Sequence, residues 1–361
     1  MRLTLWTLLA FSIVACKKED VTDIDPAKYD DTAYTLNFTN GTLPTPNIPE
    51  SNPLTIEKVK LGRMLFYETM LSRTGEVSCA SCHNQQDAFS DINTFSTGVD
   101  GNQGTRQAMA IFNMLYNTNQ FFWDGRANLL REQSLMPIQD HLEMDETLPN
   151  VVSKLENSSL YVDQFKRAFQ NGAINPKNIS LALENFMFTL ISEDSKYDRF
   201  LAGKATLTAS EERGRQLFFQ EYNEFFPNDS GADCAHCHSG NNFENDLYMN
   251  NGLDTDAEFQ DFGRENATND PSDRAKFKVT SLRNIAVTPP YMHDGRFNTL
   301  EEVIDHYNEG IKNSSTVNPA LLGTNATGLM LDAQEKEDLI NFLHTLTDET
   351  FLNNPEFASP F

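Results

Sequence analysis

Ser78-Cys79-Ala80-Ser81-Cys82-His83 and, in the second half of the chain, Asp233-Cys234-Ala235-His236-Cys237-His238 are the two stretches that decide the reading of this sequence. Each is a Cys-x-x-Cys-His motif. Two sulfurs three residues apart lie on one side of a helical turn, where each can bond one former vinyl group of a porphyrin. The adjacent imidazole then reaches the iron. The spacing therefore predicts two covalently bound haem c groups: one on Cys79 and Cys82 with His83 as iron ligand, the other on Cys234, Cys237 and His238. A four-cysteine zinc site spaces its pairs by about 15–20 residues, far less than the distance from Cys82 to Cys234. A thioredoxin-like pair needs a βαβ context, and none is visible.

Working outward from the motifs, the chain repeats itself. Leu54-Thr55, Gly62-Arg63-Met64-Leu65-Phe66 and the first motif are echoed by Leu207-Thr208, Gly214-Arg215-Gln216-Leu217-Phe218 and the second. Trp123-Asp124-Gly125-Arg126-Ala127-Asn128 matches His293-Asp294-Gly295-Arg296-Phe297-Asn298, with Leu130/Leu300 and Glu132/Glu302 in register. Four landmarks in one order predict a mainly α fold of two tandem cytochrome-c-like haem domains arising from an internal duplication. The boundaries are drawn at 54–200 and 201–350, with 351–361 as a tail. Ile179, Leu183, Phe186, Met187, Leu190 and Ile191 recur at helical spacing on one apolar face. Thr208 with Glu211, and Asp332 with Glu335, read as helix N-caps with the reciprocal acid three residues on. Leu339, Leu343 and Leu346 then line the last helix. Runs of strand alternation are few, so any sheet is small.

The ends and the composition bound the setting. Arg2 and the apolar run Leu3–Ala15 read as a signal peptide over 1–15. Ile13-Val14-Ala15-Cys16 resembles a lipobox, which makes Cys16 an acylated residue; the alternative is an ordinary secretory signal with an incidental cysteine. Residues 16–53, rich in Asp, Pro and Thr, are expected to be a lipid-anchored tether, the only attachment to a membrane. The cell envelope, in the periplasm or on the outer membrane, is the expected location. Among 361 residues, 28 Lys and Arg stand against 52 Asp and Glu, a formal charge of −24. Such a surface repels phosphate, so duplex nucleic acid is excluded and a positively charged protein is the natural partner.

With these motifs the sequence resembles the bacterial dihaem cytochrome c peroxidase family, which includes MauG-like maturation enzymes. The resemblance covers about residues 50–350. It rests on Leu71-Ser72 through Ser78 to Asn84, Phe121-Phe122-Trp123-Asp124-Gly125-Arg126-Ala127, and Glu132-Gln133 through Pro137-Ile138 to Glu143-Met144. In the second half it rests on Cys234 to His238, Leu282-Arg283-Asn284 and Thr288-Pro289-Pro290-Tyr291-Met292-His293-Asp294-Gly295. It implies that hydrogen peroxide reacts at the N-terminal, peroxidatic haem. Electrons enter at the C-terminal haem from a small cytochrome c or cupredoxin. Glu143, with Gln133 nearby, stands on the open face as the proton-moving carboxylate. Trp123 lies between the haems as a relay. His293 supports a haem propionate or the interface between the halves. The resemblance also implies an inter-domain calcium, with Thr288 and Pro290 supplying oxygens and Gln107 in place of the usual Asn. A homodimer is a candidate assembly. No chemistry is assigned to His141, His236, His306 or His344.

Two positions depart from the family pattern. Reductively activated members carry a His in the segment that here reads Gly98-Val99-Asp100-Gly101, and Val99 cannot bind iron; an open site is expected. The usual Met ligand of the second haem corresponds to Tyr307, the MauG-like pattern, with Met330 as the alternative. A phenolate stabilises ferric iron where a thioether favours ferrous. Three functions follow: peroxide reduction, a MauG-like oxidation of a protein or small molecule, and electron carriage without catalysis. Val99, Glu143 and Gln133 together disfavour the last.

Overall fold

The computed structural model describes residues 27–226 and 229–361. The signal peptide and Cys16 lie outside the described residues. Helices carry the fold, and the one ladder among the described residues pairs β1 (Tyr248–Met249) with β2 (Phe277–Lys278), antiparallel, Met249 opposite Phe277. No described helix is long and apolar enough to cross a membrane.

Four helices set the frame: α1 (Ile56–Tyr67), α2 (Pro176–Thr189), α3 (Ala209–Phe219) and α4 (Ala333–His344). α1 lies on α2 with Gly62 against the Ala182 carbonyl, where an added Cβ would collide with backbone. α3 meets α4 in the same way, Gly214 against the Asp338 carbonyl. Only glycine permits so close an approach. Thr208 and Asp332 cap α3 and α4 as the sequence predicts, each exchanging hydrogen bonds with the acid three residues on. One expectation needs correction. α2 is buried from Asn178 to Thr189 on every side, not along a single face, and it ends before Leu190 and Ile191. The first core wraps it completely.

That core gathers Leu61, Leu65, Phe66, Phe89, Phe165 and Phe186 with Phe351, Leu352 and Phe357. The second gathers Tyr197, Phe218, Phe243, Leu339, Phe342 and Leu346. Two stretches read as loose are held. From Asp30 onward the expected tether is bonded to the body: Thr42 Oγ1 donates to Asp198 at 2.8 Å, and buried Asn52 donates to Glu184 at 2.8 Å. The expected tail folds back on the first half, where Arg63 Nε donates to the Ala358 carbonyl at 2.7 Å and Tyr67 donates to Phe357 O at 2.8 Å. Polar composition hid both, because the bonds run through backbone groups and a few phenylalanines.

The halves meet through buried polar bonds. Asn113 and Asn284, both left-handed, flank Ser192: Ser192 N donates to Asn113 Oδ1 at 2.8 Å, and Asn284 Nδ2 donates to Ser192 Oγ at 3.0 Å. Arg283 donates to both oxygens of Asp198 at 2.7 and 2.8 Å, with the two side chains almost wholly buried. Burial alone would raise the Asp198 pKa, but Arg283, Ser195 and Thr42 outweigh it and hold the carboxyl below its usual value. The stabilisation is therefore present above the unfolded carboxyl range and is lost as pH falls through the depressed folded value. Asp198→Ala leaves Arg283 a buried unpaired cation, and the loss is expected to be about 3–5 kcal/mol. Urea unfolding of the haem-loaded protein checks this; an unchanged midpoint would remove the pair from the set of structural supports.

Candidate haem-binding sites

The first motif folds as one helical turn. Ser78 N donates to Ser81 Oγ at 3.0 Å, and His83 N closes the turn on Cys79 O at 3.0 Å. The chain then reverses through Ala88 and Phe89, both with positive φ, so that the Phe89 carbonyl faces back to His83. His83 Nδ1 meets that carbonyl at 2.8 Å. In the second half Phe243, also at positive φ, turns its carbonyl to His238, whose Nδ1 lies 3.0 Å from Thr280 O and 3.2 Å from Phe243 O. A carbonyl only accepts, so Nδ1 carries the proton in both rings. Burial lowers both imidazole pKa values and keeps the rings neutral. Nε2 is left with its lone pair, the arrangement of an iron-ligating histidine.

A cavity of about 550 Å³ opens beside the first motif, with Cys79, Cys82 and His83 on one side and Trp123, Gln133 and Glu143 among its other walls. Neither cysteine pair is disulfide-bonded. Burial pushes the Cys79 and Cys234 thiols up to about 12, the opposite of a redox-active thiol. Paired sulfurs, an oriented neutral imidazole and an apolar-lined cavity fit haem c and do not fit thiol exchange. Among the described residues no cluster of His, Cys, Asp or Glu could hold a bare metal ion.

The first wall holds a group poised to titrate. Burial, helped by Asp140, pushes Glu143 up to about 7 against the opposing pull of Arg126. Arg126 lies flat on Phe122, 3.6 Å from its centroid, and pairs with Asp124 at 3.1 Å. His83 is the one imidazole lining this cavity. Val99 does not line it; Gly98 does, packed on the loop that carries Glu143, and Val99 N donates to Glu143 O at 2.9 Å. Trp123 spans the junction: Nε1 donates to Gln107 O at 2.8 Å, and its own carbonyl accepts from Lys278 N of the second half at 2.8 Å.

Tyr307 sits in a π-turn, His306–Gly310, a feature frequent at functional sites. Burial, with Cys237 and Cys234 nearby, pushes its hydroxyl up to about 12, while a bond from Asn251 opposes this. Met330 is exposed. Met249 was not anticipated: its sulfur lies 3.4 Å from Cys237 Sγ. Nor was Glu244, which lines the first cavity from the second half and is pushed up to about 7 by burial and Asp246. Nothing in the repeat marked it, because the position after Phe89 in the first half holds Ser90. Gln107, Thr288 and Pro290 also line that cavity, with Gln107 Nε2 donating to Asp91 O at 3.0 Å. His293 is elsewhere, stacked on Phe277.

Comparison with known proteins agrees with this architecture. Residues 56–206 match the model of the di-haem cytochrome c peroxidase family. Over 305 residues the chain is 34% identical to the methylamine utilization protein MauG of Methylophilus methylotrophus, covering 82% of this chain and 84% of that one. It is 33% identical over 303 residues to the cytochrome c551 peroxidase of Pseudomonas aeruginosa, covering 82% and 80%. A solved MauG-like protein associated with microbial copper homeostasis superposes with a TM-score of 0.82 at 34% identity, over 91% of this chain and 99% of that one. The fold and paired sites define a dihaem oxidoreductase. The chain belongs to the di-haem cytochrome c peroxidase family.

Protein matured with a c-type haem assembly system is expected to keep two haems through denaturation and acid extraction. Serine at both Cys234 and Cys237 should leave one. Mass spectrometry of the intact chain reads the count, and zinc in place of iron would overturn the assignment.

Proposed function

We propose that the chain reduces hydrogen peroxide to water at the His83 site and receives the electrons through the His238 site from a small cytochrome or cupredoxin. It works in the cell envelope, tethered by a lipid on Cys16. Cys79, Cys82, Cys234 and Cys237 hold the two haems, and His83 and His238 ligate their irons. One observation carries the reading: Glu143, a carboxyl that burial pushes up to about 7, lines a cavity whose one imidazole is His83. Haem, when bound there, would supply the iron chemistry that cleaves peroxide.

The chain supplies the rest. The Glu143 carboxylate takes the proton from the near peroxide oxygen and delivers it to the far one, so that water departs. Gln133, on the same wall, orients peroxide through its amide. Trp123, bonded to both halves, carries charge between the sites. Gln107, Thr288 and Pro290 offer the neutral oxygen ligands that suit calcium at this junction.

A MauG-like oxidase is the second reading. Tyr307, buried beside Cys234 and Cys237, favours it as sixth ligand of the second iron, and Val99 favours it by leaving the first open. We also infer that the halves descend from one duplicated unit. Gly62 and Gly214 make the same helix contact, and Phe121–Ala127 and Tyr291–Phe297 close the same turn.

Glu143 must be ionised to accept a proton, so peroxide cleavage should rise with pH through about 7 and then level. Glu143→Gln should keep both haems, flatten that profile and slow cleavage by roughly 10²–10⁴-fold. The oxidised wild type should show a high-spin EPR signal and react without prior reduction. A purely low-spin spectrum would falsify the open site, and a Glu143→Gln variant as fast as wild type would remove the assigned proton carrier.

A further inference from the structure

A second cavity, of about 540 Å³, opens between the halves beside the junction just described. Its aromatic walls are Phe95, Phe259, Phe262 and Phe277, and His293 lines it as well. The His293 ring lies parallel to Phe277 at 3.6 Å and is buried, yet neither ring nitrogen has a hydrogen-bond partner among the described residues. Its nitrogens are not sealed in protein but open toward the cavity, where a guest can bond them. The charges around it are already satisfied. Arg106 holds Asp261 at 2.6 and 2.9 Å and Asp124 at 2.7 Å. Arg296 holds Asp254 at 2.7 Å and Asp294 at 2.6 Å. The lining then carries two cations against three carboxylates, with no free cation for an anionic ligand. A neutral imidazole keeps one ring nitrogen unprotonated and able to accept. The shape and chemistry suit a flat aromatic molecule with a neutral hydroxyl.

The cavity also touches both electron routes. On one side Trp123 Nε1 donates to Gln107 O at 2.8 Å, and Gln107 N donates to the His293 carbonyl at 2.8 Å. Phe277 adjoins Lys278, whose N–H is bonded to Trp123. On the other side the cavity is lined by Asn251, which lies beside Tyr307.

We propose that this cavity binds a small neutral phenol or hydroquinone, hydroxyl on His293 and ring among the phenylalanines, as a second reductant for peroxide. The chemistry balances with hydroquinone. Its two O–H bonds break, releasing two electrons and two protons and leaving the quinone; the O–O bond of peroxide breaks and two waters form. His293 accepts the hydrogen bond of one hydroxyl; both protons pass to solvent at the cavity mouth, while the two electrons leave through Trp123. This rests on the peroxide-reducing reading above, but binding does not depend on turnover.

Binding of p-cresol to the haem-loaded protein, measured by calorimetry, tests the site directly, and hydroquinone tests the reaction. His293→Phe keeps the stack on Phe277 and removes the acceptor; Phe259→Ala, at a partly exposed wall, guards against a misfolded variant. Each is expected to weaken p-cresol binding by about tenfold and to raise the hydroquinone KM by a similar factor. Peroxide turnover of Phe259→Ala with a reduced cytochrome should stay unchanged. If wild-type protein does not bind p-cresol, or both variants bind it equally well, the proposal is overturned. If p-cresol binds and the variants weaken it while no reductant supports peroxide turnover, the binding site stands and the peroxidase reading fails.

Discussion

Each candidate iron-binding imidazole is fixed by a main-chain carbonyl, and much of the structure exists to hold that carbonyl in place. The carbonyls of Phe89 and Phe243 turn toward their histidines only because both residues adopt positive φ, a conformation that costs a bulky residue of the order of 1–3 kcal/mol. The surroundings oppose that cost. Both rings are fully buried, Phe89 against Phe66 and Phe351, and Phe243 against Tyr197 and Phe218. The close crossings at Gly62 and Gly214 bring the helices that carry Phe66 and Phe218 near enough to make these contacts. Hydrophobic burial thus sets the tautomer of a ligand. A neutral ring with its proton on Nδ1 and its lone pair on Nε2 is the chemical output of the core.

What could be read in advance divides along the same line. The two Cys-x-x-Cys-His motifs and the capped helices were legible because each is a local pattern with a local physical cause. The position of Trp123 at the junction was legible only through resemblance, since its bonds to Gln107 and Lys278 join distant parts of the chain. The single-face reading of α2 failed because periodicity reports where apolar residues lie, while burial depends on what later packs around them. Residues 27–53 looked like a tether for the opposite reason: their contacts use Thr, Asn and backbone groups, which composition scores as solvent-loving. Glu244 and the pairing of His293 with Phe277 were invisible locally. Each owes its character to burial between halves.

The electrostatics are uneven in a way that the net charge of −24 conceals. Around the junction, Arg106, Arg126, Arg283 and Arg296 are spent on Asp124, Asp198, Asp254, Asp261 and Asp294. Glu143 and Glu244, which line the first cavity and form no salt bridge, are both pushed up to about 7 by burial. Two such acids on one wall keep exchangeable protons at hand near neutral pH, beside ion pairs that fix the geometry.

The return of residues 351–361 to the first half has a consequence for biogenesis. Phe351, Leu352 and Phe357 belong to a core whose other members lie between Leu54 and Leu190. A chain made from its N-terminus cannot complete this core until residues 351–357 have followed. Until then Phe89 lacks its contact with Phe351, so the carbonyl that orients His83 is among the last features to be fixed.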